Sequence, residues 1–347
     1  MKTCLQEDRF FSMTWNYLNE YIPSQHRDSP QTQKSYEDAL TIFRRYITDE
    51  LHISIEAFRF QDLTYDFMLD YRDYLINKQY KPRTINHRIT VIIAYMKYVA
   101  MRKSSIMQLY LNISDVPQVK VPNKIREIIE EKASLKSLFE APGNSNKHIR
   151  DQLILVLLYD TAIRVGELIS MNLSDINLNC KDPFIRIHGK GDKERFVALS
   201  DKTIPLVKQY IKIFHKDRKD SNVPFIYTVN KGILGRMTER NAERIVRKYG
   251  EIVRKQDNNM PENVYPHMLR RTRITGWYRD GVPIETIAVA VGHSDAKTTR
   301  KSYAIPSVQQ LKKDLESGSD IEPVVNETEE KPLWTNDTEL AKLCGVR

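Results

Sequence analysis

Apolar residues in the first third of the chain recur at helical intervals. Phe10, Phe11, Trp15 and Leu18 share one side of a helix, and after Ser29-Pro30 a second helix carries Tyr36, Leu40, Phe43 and Ile47 on one face. A third runs through Phe67 to Ile76. Pro82-Arg83-Thr84 opens a fourth, in which Ile85, Ile89, Ile92, Ile93 and Met96 alternate with Asn86, His87, Arg88 and Lys97. These stripes are core positions and carry no chemistry of their own. Strand signal is scarce up to about Asn112. Between Asp115 and Lys124 the helical pattern stops at Pro117 and Pro122, with Lys120 and Lys124 beside them, which reads as a linker.

From Ile125 onward the pattern is mixed. A helix starts over Lys132 to Phe139, and the apolar run Leu153 to Tyr159 is the centre of a buried one. Phe184 to His188 and Arg195 to Leu199 are short, roughly alternating strands joined through Gly189-Lys190-Gly191-Asp192-Lys193. Glycines on both sides of Lys190 let the backbone take positive φ while the lysine stands at the hairpin tip. Helices follow over Ile204 to Phe214, from Thr238-Glu239-Arg240-Asn241, from Pro266, and over Ile284 to Val291, where Gly292 reads as the C-cap. Val308 to Leu315 is a short amphipathic helix, Ser317 to Glu330 an acidic tether, and Trp334, Leu340 and Leu343 mark a small terminal helix. The expected fold is therefore mainly α with a small antiparallel β-sheet. Its expected parts are a helical domain at 1–114, a linker at 115–124, an α+β domain at 125–316, and a tether with a terminal helix at 317–347.

Composition narrows the partner. At 347 residues and 41% hydrophobic content the chain has the material for two packed cores, and a formal charge of +9 suggests a polyanionic partner. Cys4, Cys180 and Cys344 are scattered and not at metal-ligand spacing, so neither a disulfide framework nor a metal site is expected. The opening residues lack the apolar core of a signal peptide and no apolar run approaches bilayer length, so a soluble, cytoplasmic protein is expected.

The chemistry-bearing residues are concentrated in the second half. His267 and Arg270, three apart after the helix-starting Pro266, project from one face near the positive end of their helix, which suits a phosphate. Thr161-Ala162-Ile163-Arg164-Val165-Gly166-Glu167-Leu168 places Glu167 where it can pair with Arg164. His293 follows Gly292 directly, and Tyr303 lies ten residues further on. Basic residues also recur on two helices. Arg83, His87, Arg88 and Lys97 on the fourth helix are equally well explained as phosphate contacts or as a solvated face. Arg240 and Arg244 begin a more strongly basic run.

Together, Arg164 in its box, Lys190 in its hairpin, His267-x-x-Arg270, Gly292-His293 and Tyr303 resemble the signature of the tyrosine recombinase (phage integrase) family. The first half is similar to that family's helical SAM-like core-binding domain, in Ser29-Pro30-Gln31-Thr32 through Tyr46 and in Pro82 through Tyr98. The resemblance implies a recombinase that cuts and rejoins DNA through a 3′-phosphotyrosyl intermediate, with no cofactor, metal or ATP. Tyr303 would be the nucleophile. Arg164, Arg270 and His293 would hold the phosphate, His267 would take the tyrosine proton or orient the phosphate, and Lys190 would protonate the leaving oxygen. Glu167 would hold Arg164. Lys120, Lys193, Arg240 and Arg244, with the bases of the fourth helix, would touch DNA. The implied partners are duplex DNA with inverted-repeat core sites, further copies forming a tetramer with a dimer on each site, and accessory DNA-bending or directionality proteins. The terminal helix would dock on a neighbouring copy.

The chain departs from the family pattern at three positions. Ala162 replaces the usual Gly, Arg271 stands where many members carry His, and Tyr303 lies one residue beyond the usual spacing, which Ser302 occupies. Two other classes compete: a non-catalytic DNA-binding regulator on the same fold, and a type IB topoisomerase that only relaxes the DNA it cuts. A metal-dependent nuclease is disfavoured, because no acidic cluster accompanies these motifs.

Overall fold

The computed structural model describes residues 8–26, 30–122, 127–143, 145–189, 194–216, 221–230 and 232–292. The chain divides into two compact units, residues 1–126 and 127–347. Lys190, Lys193, His293, Tyr303, the tether and the terminal helix lie outside the described residues.

The first unit is helical. Its main elements are α1 (Pro30–Arg45), α2 (Tyr65–Asn77), α3 (Pro82–Ala100) and α4 (Met107–Ser114), preceded by short helical turns over residues 10–26. Local chemistry sets the starts. Thr64 caps α2 by accepting a hydrogen bond from the Phe67 backbone N–H at 3.1 Å, and Pro82 opens α3 at a position whose N–H needs no partner. Most of the expected stripes are core: Leu40, Phe43 and Ile47 are buried with Ile85, Ile89, Ile92 and Met96, but Trp15, expected in the first stripe, is 65% exposed, and Ile76 at the end of the third is exposed too. Aromatic rings dominate the centre, where Phe10 packs against Phe43, Phe58, Phe60 and Tyr95 with centroids 5.2–5.6 Å apart.

The stretch expected as a linker is anchored through its first half. Val116 is buried in the first core, and the Asn86 amide both donates to the Val119 carbonyl (2.9 Å) and accepts from its N–H (2.8 Å). One side chain thus satisfies both backbone groups of Val119.

The second unit holds α5 (Lys132–Glu140), α6 (Asn146–Asp160), α7 (Val165–Ser170), α8 (Ile204–Phe214), α9 (Glu239–Arg254), α10 (Pro266–Arg279) and α11 (Ile284–Val291). Two small antiparallel sheets accompany them. One is β1 (Ile176–Asn177), β2 (Phe184–His188) and β3 (Glu194–Ala198) in sequence order, and the other is the hairpin of β4 (Tyr227–Asn230) and β5 (Ile233–Arg236). The β2–β3 register pairs His188 with Glu194, so the glycine-lysine segment joins the ends of a regular ladder. The mainly α fold with antiparallel sheet is as expected, with a second sheet added. α6 is the spine of the unit: Leu153, Ile154, Leu155, Leu157 and Leu158 are fully buried, and the helix packs beside α5, α8 and α10. Among the described residues, no helix is long and apolar enough to cross a membrane.

Candidate active site

The site is built where three chain segments end against each other. α6 stops at Asp160, and the chain turns through Ala162, whose φ of 51° is left-handed. That turn aims the Ala162 carbonyl at α10, where Arg270 Nη1 donates to it. Arg270 Nη2 donates to the Val291 carbonyl at the end of α11 (2.8 Å). Gly292 then ends α11 in the left-handed conformation, with φ 66°. Arg270 is 1% exposed, so its guanidinium is a structural tie between three segments as well as a buried positive charge.

Arg164 N-caps α7 and is held differently. Its side chain remains 45% exposed, with Nη1 donating to Glu167 Oε1 at 2.9 Å, while its backbone N–H donates to Glu167 Oε2 at 2.7 Å. The expected Arg164–Glu167 pair is present. A second arginine completes it: Arg195 of β3 forks onto the same carboxylate, Nη1 to Oε1 at 3.0 Å and Nη2 to Oε2 at 2.8 Å. Burial works against ionisation of Glu167. The hydrogen bonds from Arg195 and the Arg164 backbone, with the two guanidinium charges, outweigh it and hold the carboxyl below the usual carboxylate range.

These groups line one open pocket of about 910 Å³. Arg164, Glu167, His267 and Arg270 are in its wall, as are Gly189 and Gly292, the residues immediately before Lys190 and His293. Pro266 at the first turn of α10 sets His267 and Arg270 on the same side, as their three-residue spacing requires. Arg195, His188, Glu194 and Glu239 also line the pocket, and sequence reasoning assigned none of them a role. The signal for Arg195 was its place at the start of the strand after the glycine-lysine segment, but nothing local tells that its partner lies 28 positions upstream. His188 is held by Asp175 and Glu194, each at 3.0 Å. Among the described residues, no group of three or more His, Cys, Asp or Glu could hold a metal ion.

The remaining candidates separate. Arg271 serves the back of α10: it is buried, donates to the Glu127 carbonyl (3.2 Å) and to the Tyr265 hydroxyl (3.0 Å), and so fixes the helix rather than facing the pocket. On α3, Arg83 and Lys97 are exposed, but Arg88 is half-buried with its guanidinium 3.8 Å from the Tyr80 ring centre. A stacked guanidinium of this kind packs its stem and ring face on the tyrosine while keeping its charge. His87 is exposed yet bonded to Ser35 Oγ of α1 at 2.8 Å, so it ties two helices together. Lys120 is exposed. Arg240 and Arg244, with Arg247, line a second open pocket of about 670 Å³ that also includes Thr228, Thr238 and Asn241.

A family model described as "Phage integrase family" matches residues 129–310, and one described as "Phage integrase SAM-like domain" matches residues 9–112. The chain belongs to the phage integrase family of tyrosine recombinases and is a recombinase enzyme. Among its relatives, a tyrosine recombinase XerC of Staphylococcus carnosus is 28% identical over 287 residues, covering 82% of this chain and 90% of that protein. The XerC of Staphylococcus epidermidis is 29% identical over the same extent. The fold is similar to that of the XerH site-specific recombinase bound to palindromic difH substrate (TM-score 0.63, 18% identity, 84% of this chain and 81% of that one). It is also similar to that of the Tn1549 transposon integrase in complex with transposon right-end DNA (TM-score 0.64, 16% identity, 86% and 97%).

Proposed function

We propose that the chain is a site-specific DNA recombinase that breaks and rejoins duplex DNA through a covalent 3′-phosphotyrosyl link, with neither metal nor ATP in the reaction. The observation that carries this reading is the meeting of Arg164, His267 and Arg270 in one pocket whose rim includes Gly189 and Gly292.

The chemistry follows from the charges. A phosphodiester under attack gains negative charge on its non-bridging oxygens, and preorganised cations lower the barrier most where water is excluded. Arg270, fixed by two carbonyls at the base, supplies a charge that needs no reorganisation, and the more exposed Arg164 supplies the fork. His293 adds a donor to the same phosphate. The Tyr303 oxygen bonds to phosphorus and its proton passes to His267. The bond from phosphorus to the 5′-oxygen breaks, and that oxygen takes a proton from Lys190. The phosphotyrosyl bond conserves the energy of the broken one, so a 5′-hydroxyl from a partner strand reverses the step. Glu167 keeps Arg164 in register.

Duplex DNA with inverted-repeat core sites is the proposed partner, in line with the DNA-bound relatives of the same fold. A tetramer with a dimer on each site, accessory DNA-bending or directionality proteins, and docking of the terminal helix on a neighbouring copy complete the proposal. Arg83, Lys97, Lys120, Lys193, Arg240 and Arg244 are the proposed phosphate contacts.

The test uses a duplex selected from a random pool by the wild-type protein and nicked near the cut site, so that a short fragment diffuses away and traps the intermediate. Wild type forms a protein–DNA adduct in chelator and without nucleotide, and Tyr303→Phe forms none. An adduct that survives Tyr303→Phe moves the nucleophile elsewhere, and no adduct from wild type rejects the mechanism. Strand exchange between two duplexes, beyond relaxation alone, separates recombination from topoisomerase action.

A further inference from the structure

Glu167 accepts four hydrogen bonds, and only half of them come from Arg164. Oε1 takes Arg164 Nη1 and Arg195 Nη1, and Oε2 takes the Arg164 backbone N–H and Arg195 Nη2. An ionised carboxylate has about four lone-pair sites, so the group is saturated and its direction is fixed. Arg195 uses its third face as well, with Nε donating to the Ala290 carbonyl in the last turn of α11 at 3.1 Å. The end of α11 is shaped around this guanidinium: a Cβ on Gly292 would stand 2.9 Å from Nη1 and 3.0 Å from Cζ of Arg195. A side chain at 292 would therefore strain the left-handed backbone and also push this guanidinium from its place.

We propose that Arg195 is a positioning residue of the recombinase site, a bridge from β3 to α7 and α11 that holds Glu167 oriented so that Arg164 reaches the scissile phosphate. The inference rests on the phosphotyrosyl reading given above.

A buried ion pair is weak evidence of a contribution to stability, since desolvation consumes much of the attraction. This one stands in the wall of the reaction pocket and divides its donors among an acid and a backbone carbonyl on different elements. Arg164 has a half-exposed side chain, and among the described residues it is ion-paired to Glu167. A Glu167 carboxylate without Arg195 loses two donors while remaining buried, which favours its neutral form and loosens Arg164. Lysine cannot substitute. It is a point charge on a flexible stem and cannot fork onto two oxygens while also donating to a carbonyl.

The experiment compares full-length wild type with Arg195→Lys, and with Arg195→Gln as a second variant should the first fail to fold by its circular-dichroism melt. The probe is the nicked duplex described above, made with either an ordinary scissile phosphate or a methylphosphonate. The methylphosphonate carries a methyl group in place of one charged oxygen and asks less of the arginines. On the ordinary phosphate, adduct formation slows by about 10- to 100-fold, the scale expected for a misplaced catalytic group, while duplex affinity stays within about twofold. On the methylphosphonate, the gap between wild type and variant narrows to within about threefold, because the misplaced charge matters less. Equal slowing on both substrates, or no slowing on the phosphate, overturns the proposal. No adduct from wild type on the ordinary phosphate instead rejects the phosphotyrosyl reading, and this inference with it.

Discussion

At Ala162 the backbone carries a cost that the site requires. Its φ of 51° is the left-handed region, where an L side chain crowds the following carbonyl at roughly 1–2 kcal/mol. The same turn directs the Ala162 carbonyl to Arg270, so the strain has a structural use. Glycine would relieve the strain, but it would also remove a buried methyl worth about 0.8 kcal/mol and add chain entropy worth roughly 0.5–1 kcal/mol to the unfolded state. The terms nearly cancel. Ala162→Gly is expected to change stability by less than about 1 kcal/mol in urea unfolding, whereas Ala39→Gly, buried mid-helix in α1, costs about 2 kcal/mol. A loss at 162 equal to that at 39 would reject the strain account. With alanine where the family usually carries glycine, nothing in the sequence marked this turn. The Arg164–Glu167 pair was legible for a related reason: residues three apart at a helix start must meet. The Arg195–Glu167 pair was not, because one residue lies on β3 and the other on α7, and only the packing of strand against helix brings them together.

Among the elements, α9 shows both what periodicity reveals and what it hides. Ala242, Ile245, Val246, Tyr249, Gly250 and Val253 form its buried stripe, and Arg240, Arg244 and Arg247 recur on the opposite, exposed side. Both faces could be read from spacing. Gly250 could not be, since its reason lies across the interface: a Cβ there would stand 2.6 Å from Val264 Cβ, closer than real contacts allow. Gly250→Ala should therefore destabilise by about 1–3 kcal/mol despite the better helix propensity of alanine. Pairing it with Val264→Ala recovers part of that loss, so the double variant is less destabilised than the sum of the singles, measured by denaturant midpoint. Additive effects would mean that the two residues do not touch. The β4–β5 hairpin went unread because its apolar residues Val229 and Ile233 are exposed, leaving no inward alternation to detect. β1 is only two residues long and has no periodicity at all.

For the whole molecule, the two-unit division is supported by separate cores, one drawn from residues 10–116 and one from 129–269. Proline spacing indicated the boundary region, but not that Asn86 would hold Val119 to the first unit, because that tie spans 33 positions. Charge acts at this scale too. With a net charge of +9, DNA binding gains much of its free energy from released counterions, so log affinity falls linearly with log salt at roughly 0.9 per neutralised phosphate. The arginines at 240, 244 and 247 line one open pocket beside the start of α9, a geometry that suits a phosphate backbone without implying which bases are read. Converting all three to glutamine should lower the magnitude of the salt slope by roughly 0.9 for each phosphate that is no longer neutralised, and weaken selected and unrelated duplexes alike. If affinity falls only for the selected duplex and the slope stays as in wild type, these arginines read bases. If neither changes, they form a solvated face, and the phosphate contacts are to be sought among Arg83, Lys97, Lys120 and Lys193.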